Sequence, residues 1–166
     1  VFEVNKILFN ISTHNLAENI NPNVIETIIE IALEVGREGR EERRIGTGFI
    51  IGDKSEILKY TKQLIINPFS AYPDEAKNIL DPNLRETIKE FSQLDGVFVI
   101  NKDGIIVSCG TYLEVDTTNI SLHHGFGTRH RTTAALTKEV NCIGVTVSQS
   151  GGKVTIFKDG KAVMRL

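Results

Sequence analysis

The sequence predicts one α/β domain in which helices cover both faces of a mixed β-sheet. Three observations support this fold class: an amphipathic helical pattern near the N-terminus, hairpin patterns in the second half, and a helical segment between two of those hairpins. With 166 residues and 40% hydrophobic content, the chain has the size of one globular domain and can bury a core. We assign residues 22–166 to this domain and residues 1–21 to an N-terminal segment or linker remnant.

The first predicted helix begins at Asn21-Pro22, a pair that suits the cap and first turn of a helix. Residues 1–20, before it, mix apolar and amide side chains without a clear period, a pattern compatible with a strand, a short helix or a linker. After the cap, apolar residues recur at the spacing of a helix that packs on a sheet: Val24, Ile25, Ile28, Ile29, Ala32 and Val35.

The middle of the chain predicts a strand, two helices and a loop. Residues 46–51 form a strand-like run, residues 55–63 have a helical pattern, and residues 68–73 form a loop bounded by prolines. Asp81-Pro82 then starts another helix. The apolar face of that helix carries Leu84, Ile88 and Phe91.

Hairpins are predicted in the second half of the chain. The apolar runs 97–100 and 105–109 flank the turn sequence 101–104, Asn-Lys-Asp-Gly, which is a strong hairpin signal. The pattern then repeats, with strands at 142–147 and 154–157 and a turn at 158–160 before a final short strand.

The charge balance restricts the class of ligand. The chain has 19 basic and 21 acidic residues, so nucleic-acid binding within this domain is disfavoured and any anion site must be a local cluster. No apolar run approaches the roughly 20 residues that span a bilayer. We therefore expect a cytoplasmic domain without membrane contact, in which Cys109 and Cys142 are buried, reduced thiols.

A basic cluster follows the glycine loop Gly125-Phe126-Gly127. Residues 128–131, Thr-Arg-His-Arg, open a helical segment for which Thr128 is the predicted N-cap. Arginines at a helix N-terminus are unfavourable unless an anion is bound, because that end already carries partial positive charge. The cluster therefore indicates a phosphate site, and its alternative is a solvated basic turn.

An acid precedes the strand at 97–100. Asp95 is positioned at the mouth of this buried strand, where a carboxylate can hold a divalent cation or accept a hydroxyl proton. Gly96 adds no side chain that would keep a ligand from the backbone. The alternative interpretation is an ordinary Asp-Gly turn.

Together these two motifs resemble those of the diadenylate cyclase domain, the family of the DisA N-terminal domain. The family pairs Asp-Gly-Ala with Gly-Thr-Arg-His-Arg, which correspond to 95–97 and 127–131 here. Similarity continues upstream through 37–40 and 45–53, downstream through 145–148, and covers about residues 22–160. The chain departs from the family at Val97, where alanine is usual, and at Gln149 and Ser150, where acids are common.

The resemblance implies condensation of two ATP molecules into cyclic di-AMP with release of two pyrophosphates. Each 3′-hydroxyl would attack the α-phosphate of the other nucleotide, with Asp95 binding Mg²⁺ or Mn²⁺. The catalytic residues that it implies are Asp95, Gly96, Arg129, His130 and Arg131. The nucleotide-binding residues that it implies are Gly96, Val97, Leu113, Gly127, Thr128, Arg129, His130, Arg131 and Ser148.

The implied reaction needs two nucleotides facing each other, so it predicts a homo-oligomer with a face-to-face catalytic dimer. The alternative function is a catalytically weak sensor that binds ATP or cyclic di-AMP, because Val97 adds methyl groups near the nucleotide. Product formation from ATP distinguishes the two hypotheses.

Overall fold

The computed structural model describes residues 19–166, so nearly all of the predicted N-terminal segment lies outside the described residues. The helices within this range are α1 (Pro22–Glu38), α2 (Lys54–Ile57), α3 (Arg85–Phe91) and α4 (Thr128–Glu139). The strands within it are β1 (Thr47–Gly52), β2 (Thr61–Gln63), β3 (Val97–Ile100), β4 (Ile106–Leu113), β5 (Cys142–Val147), β6 (Val154–Lys158) and β7 (Lys161–Arg165).

The seven described strands form one mixed sheet in the order β2-β4-β3-β1-β5-β6-β7. The central strands β1 and β3 run parallel, with Phe49 opposite Phe98, and every other neighbouring pair is antiparallel. Strand β1 therefore lies between β3, which directly follows Asp95 and Gly96, and β5, which follows the helix that begins within the 127–131 motif. This strand order brings the motifs to neighbouring positions.

Helices cover both faces of the sheet, which confirms the predicted fold class. Helix α1 packs on the face that carries the stacked rings of Phe49 and Phe98, whose centroids are 5.0 Å apart. Helix α4 packs on the opposite face, where Leu136 joins a second cluster with Ile50 and Val99. Because successive side chains of a strand point to opposite faces of the sheet, Phe49 and its neighbour Ile50 lie on different faces.

The predicted start of α1 is confirmed. The side chain of Asn21 accepts a hydrogen bond from the backbone N–H of Asn23, and Pro22 occupies the first turn. Ion pairs then join α1 to α3: Lys89 Nζ lies 2.7 Å from Glu34 and 3.2 Å from Glu38. Burial alone lowers the pKa of Lys89, but its hydrogen bonds to these carboxylates outweigh that effect and raise the pKa.

The helix predicted over 55–63 is wrong in its second half. The helical chain continues through a 3₁₀ turn at Leu58–Tyr60, and Thr61–Gln63 is the edge strand β2, paired with residues 111–113 of β4. The Tyr60 carbonyl also accepts from Glu114 N at 2.7 Å. Pairing with β4 thus overrides a weak local helical preference.

The hairpin signals are confirmed. Asn101 Oδ1 accepts from the backbone N–H groups of Asp103 and Ile105, which closes the turn between β3 and β4. Cys109 and Cys142 are free and buried, as predicted. In the part of the chain that the structure describes, no helix has the length and apolar character to cross a membrane.

Candidate nucleotide site

Two adjoining clefts lie at the N-terminus of α4. The first, which we call the Asp95 cleft, has a volume of about 380 Å³. It is lined by Asp95, Gly96, Val97, Thr111, Tyr112, Leu113, Thr128, Arg129, Thr132 and Gln149. The second, the Ser148 cleft, has a volume of about 400 Å³. It is lined by Gly125, Gly127, Thr128, Arg129, His130, Val147, Ser148, Gln149 and Ser150.

Arg129 connects the two predicted motifs. Its Nε donates a hydrogen bond to the backbone carbonyl of Gly96 at 3.1 Å, although 33 residues separate them in sequence. It lines both clefts, as do Thr128 and Gln149. Burial lowers the pKa of Arg129 from its ordinary value, while the nearby Asp95 carboxylate opposes that shift. A guanidinium stays charged under these conditions, so a permanent cation lies at the junction of the clefts.

Gly96 places Asp95 at the rim of the first cleft. The backbone of Gly96 has φ +91°, and a Cβ built on it would lie 2.5 Å from the carbonyl oxygen of Thr111. A side chain is therefore excluded by conformation and by the close approach of β4. Asp95 itself is exposed and faces the same cleft as Arg129.

The N-terminus of α4 borders both clefts. The predicted side-chain cap at Thr128 is wrong: Gly127 occupies the N-cap position and Thr128 is the first helical residue. Among the described residues, no side chain accepts a hydrogen bond from the backbone N–H groups of the first turn. These groups therefore remain as donors for an anion, an arrangement that favours phosphate binding.

His130 is largely enclosed by aromatic rings. The residue is 8% exposed, and its imidazole stacks on Phe126 with centroids 5.0 Å apart and contacts Phe157 edge-on. Burial, reinforced by the charges of Arg129 and Arg165, lowers the pKa of His130 to about 4. The ring is therefore neutral near pH ~7 and adds no positive charge to the Ser148 cleft that it borders.

The other predicted site residues divide between the clefts. Val97 and Leu113 line the Asp95 cleft, whereas Gly127 and Ser148 line the Ser148 cleft. Arg131 is half-buried and lines neither cleft. The structure thus brings every predicted site residue except Arg131 to the two clefts.

Several lining residues carried no clear signal in the sequence. Thr111 comes from the far end of β4 and is brought to the cleft by pairing with Val97. Thr132 lies one helical turn after Thr128, a spacing that could have indicated a shared face. Gly46, directly before β1, and Gly48, within it, approach Arg129, and their spacing of two was the available signal.

Asp95 is the acid that lines these clefts, so the described residues offer one carboxylate for a metal. Within residues 19–166 no group of three His, Cys, Asp or Glu side chains has the arrangement of a metal site. A single carboxylate suits Mg²⁺ or Mn²⁺ when substrate phosphates and water supply the other ligands. These clefts would therefore hold such a metal only together with ligands from a bound phosphate compound and water.

Comparison with known proteins agrees with this geometry. The family model described as DAC, DisA bacterial checkpoint controller nucleotide-binding, matches residues 34–162, a range that contains both motifs. The chain belongs to the diadenylate cyclase (DAC) family. The members of this family named diadenylate cyclase are enzymes of the nucleotidyltransferase type.

Two archaeal relatives carry the name diadenylate cyclase. The chain is 45% identical to that of Methanocaldococcus jannaschii over 129 residues, which cover 78% of this chain and 40% of the relative. It is 35% identical to that of Haloferax volcanii over 148 residues, which cover 88% of this chain and 53% of the relative. The DAC chain therefore spans about half the length, or less, of these relatives.

Solved structures show the same fold. A hypothetical membrane spanning protein from Bacillus cereus matches with a TM-score of 0.61 at 15% identity, covering 82% of this chain and 60% of that one. A double mutant of DacA from Staphylococcus aureus matches with a TM-score of 0.55 at 18% identity, covering 86% and 85%. At these identities the likeness concerns the fold alone.

Proposed function

We propose that this domain condenses two ATP molecules into cyclic di-AMP and releases two pyrophosphates. The observation that carries the proposal is the convergence of Asp95 and Arg129 on one cleft, where Arg129 also bonds the carbonyl of Gly96. Family membership supports the same reaction.

Phosphoryl transfer of this kind requires alignment of the attacking oxygen and neutralisation of charge on the leaving group. In this proposal Arg129 and the free N–H groups of α4 bind the triphosphate, and their position at the border of both clefts supports this role. The planar guanidinium suits phosphate oxygens through paired hydrogen bonds. These groups therefore take the larger share of the charge that develops on pyrophosphate.

Asp95 acts at the attacking hydroxyl. Its exposed carboxylate at the rim of the cleft is free to face a second nucleotide and to accept the proton of the 3′-hydroxyl. Asp95 would also hold Mg²⁺ or Mn²⁺, which would supply Lewis acidity at the phosphates when bound. Each attack forms one 3′-to-5′ phosphodiester bond and breaks the bond from that α-phosphorus to pyrophosphate.

Each domain provides one such pair of clefts, so we infer that the second nucleotide is presented by another copy of the chain. A two-fold pair would place two equivalent nucleotides face to face, as the symmetry of the product demands. The working unit in this proposal is a homodimer, with ATP as substrate and cyclic di-AMP as product.

His130, Arg131 and Ser148 take supporting roles in this proposal. A neutral, enclosed His130 orients the first turn of α4 by packing on Phe126 and Phe157, and it carries no charge toward pyrophosphate. Ser148 offers a hydroxyl to the second cleft. Arg131 would reach phosphate only after its side chain moves toward a cleft, since it lines neither in this arrangement.

Val97, which motivated the sensor hypothesis, lines the Asp95 cleft but exposes little surface to it. Its exposure is only 3%, and its Cγ1 packs toward Gly48 on β1. The cyclase proposal is therefore preferred over a weakly active sensor.

The test is incubation of the protein with ATP and Mn²⁺ or Mg²⁺, followed by mass spectrometry for cyclic di-AMP. We expect Asp95→Asn, which keeps the side-chain size, to lower turnover by roughly 100-fold or more while ATP binding persists. The matched control is Asp103→Asn, because Asp103 is an exposed acid in the β3–β4 turn away from both clefts. Tight ATP binding without product from the wild-type protein would establish the sensor instead.

A further inference from the structure

We propose that Gly46 and Gly48 are positioning residues that form a channel for the side chain of Arg129. This channel, together with the carbonyl of Gly96, would fix the guanidinium between the two clefts. The inference rests on the proposed function in one respect, that Arg129 binds the triphosphate. The geometry of the channel itself does not depend on the reaction.

Gly46 lies beside the end of the Arg129 side chain. A Cβ built on Gly46 would be 2.9 Å from Arg129 Nη1 and 3.2 Å from both the Cβ and the backbone nitrogen of Gln149. The added atom would thus meet backbone on one side and a guanidinium on the other. Because backbone yields less readily than the end of a long side chain, a methyl group at position 46 would displace the guanidinium.

Gly48 lies beside the stem of the same side chain. A Cβ on Gly48 would be 3.4 Å from Arg129 Cδ and 2.8 Å from Val97 Cγ1. Gly48 faces the same side of β1 as Ile50, which packs toward α4, and Gly46, directly before the strand, approaches Arg129 from the same side. The two glycines therefore leave open the strip of sheet surface along which the Arg129 side chain runs.

The carbonyl of Gly96 provides the third fixed point. It accepts from Nε of Arg129 at 3.1 Å, and Gly96 is held in turn by its close approach to the backbone of Thr111. Use of Nε for this bond leaves the four N–H donors of the two terminal nitrogens for a phosphate. A lysine offers no equivalent of Nε, so it would lose both the anchor and the paired contact.

A fixed guanidinium is useful because preorganised charge stabilises a transition state without a further cost of ordering. Displacement by about 1 Å is enough to lower a rate by roughly 100-fold when geometry is demanding. The channel therefore predicts that position 46 controls turnover although glycine has no functional group.

The test compares Gly46→Ala with Gly52→Ala. Gly52 lies at the other end of β1, and a Cβ there would be 2.9 Å from the Cβ of Cys142, so the local crowding is matched while Arg129 is untouched. The direct readout is the Nε–H NMR signal of Arg129, identified by its disappearance in Arg129→Lys. The second readout is cyclic di-AMP formation under conditions in which thermal unfolding shows each variant to be folded.

We expect Gly46→Ala to shift or broaden the Arg129 Nε–H signal and to lower turnover roughly 10- to 100-fold. Gly52→Ala should retain the signal and most of the turnover. In an Arg129→Ala background, Gly46→Ala should add no further loss, because the group that it displaces is gone. An unchanged signal in folded Gly46→Ala, or equal loss of turnover in folded Gly52→Ala, would overturn the proposal.

If Gly46→Ala does not fold, Gly48→Ala and Gly48→Ala/Val97→Ala replace it. Truncation of Val97 removes the Cγ1 atom nearest to the new Cβ but leaves that Cβ 3.4 Å from Arg129 Cδ, so both variants should perturb the Nε–H signal. Full recovery of the signal in the double variant would assign the effect to Val97 and contradict the channel. If the wild-type protein makes no cyclic di-AMP, the proposed function fails while the NMR comparison still decides this inference.

Discussion

His130 shows how burial determines the chemistry of a single residue. The motif places it between two arginines, and the sequence alone predicts a third cation there. Instead, Phe126 and Phe157 enclose the ring, and this burial, reinforced by the charges of Arg129 and Arg165, depresses the pKa of His130 to about 4. Phe157 lies on β6, so only tertiary structure makes this environment visible.

The depressed pKa of His130 predicts a pH dependence of stability. In the unfolded chain the imidazole has a pKa of 6.5 and is protonated below that pH, whereas in the folded protein its pKa is about 4, so it stays neutral until the pH falls to that value. The contribution of the neutral His130 to the free energy of unfolding is therefore fully present above pH ~6.5. It is lost as pH falls toward ~4, where the loss reaches about 3 kcal/mol. Replacement by a neutral side chain should remove this component.

We expect His130→Gln to flatten the loss of unfolding free energy between about pH 6.5 and 4.5 relative to the wild-type protein, as measured by urea denaturation. The control His124→Gln removes an exposed imidazole from the preceding loop and leaves the aromatic cluster intact. Identical pH profiles for wild type and His130→Gln would contradict a buried, neutral imidazole.

At the scale of elements, α4 makes a close contact with the sheet at Gly144. A Cβ built on Gly144 of β5 would be 2.2 Å from Thr133 Cγ2 on α4. Small and hydroxylated residues fill this contact, and the hydroxyls of Thr133 and Thr146 are buried without a partner among the described residues. This close contact between α4 and β5 holds the first turn of the helix at the border of both clefts.

We expect Gly144→Ala to destabilise the protein by about 1–3 kcal/mol, because the added methyl group forces α4 away from β5. Thr133→Ser deletes the colliding Cγ2 atom and keeps the hydroxyl, so Gly144→Ala/Thr133→Ser should recover much of the loss. Urea denaturation measures both variants. Gly125→Ala is the control, because nothing lies within 4 Å of a Cβ at that loop position. Strictly additive effects of Gly144→Ala and Thr133→Ser on the free energy of unfolding would refute the contact.

Elements with strong local signals were predictable and those that depend on partners were not. The cap at Asn21 and the Asn101 turn are encoded within a few residues, and both are confirmed. Strand β2 depends on β4, fifty residues later in sequence, and was predicted as helix. The predicted N-cap of α4 was one residue too late in the chain, because Gly127, not Thr128, has the extended backbone of an N-cap.

For the whole molecule, sheet order determines which motifs meet. Periodicity identified most strands, but nothing in it placed β1 between β3 and β5. The convergence of Asp95 and Arg129 was expected from family resemblance, whereas their physical link through the carbonyl of Gly96 emerged only from the fold. The sequence did not indicate a role for Gly46 and Gly48, because in the proposed channel they act through the absence of a side chain.

The proposed reaction requires two intact domains in one pair, which a mixing experiment tests. Wild-type protein is combined with an equal amount of Arg129→Ala at constant total concentration, and cyclic di-AMP formation is measured after the pairs exchange. Random pairing leaves about one quarter of pairs fully wild type, so product formation should fall to about one quarter of the all-wild-type rate. Domains that act singly would retain about one half, because each wild-type copy would work regardless of its neighbour. A value near one half, with exchange verified by labelled subunits, would contradict a catalytic pair.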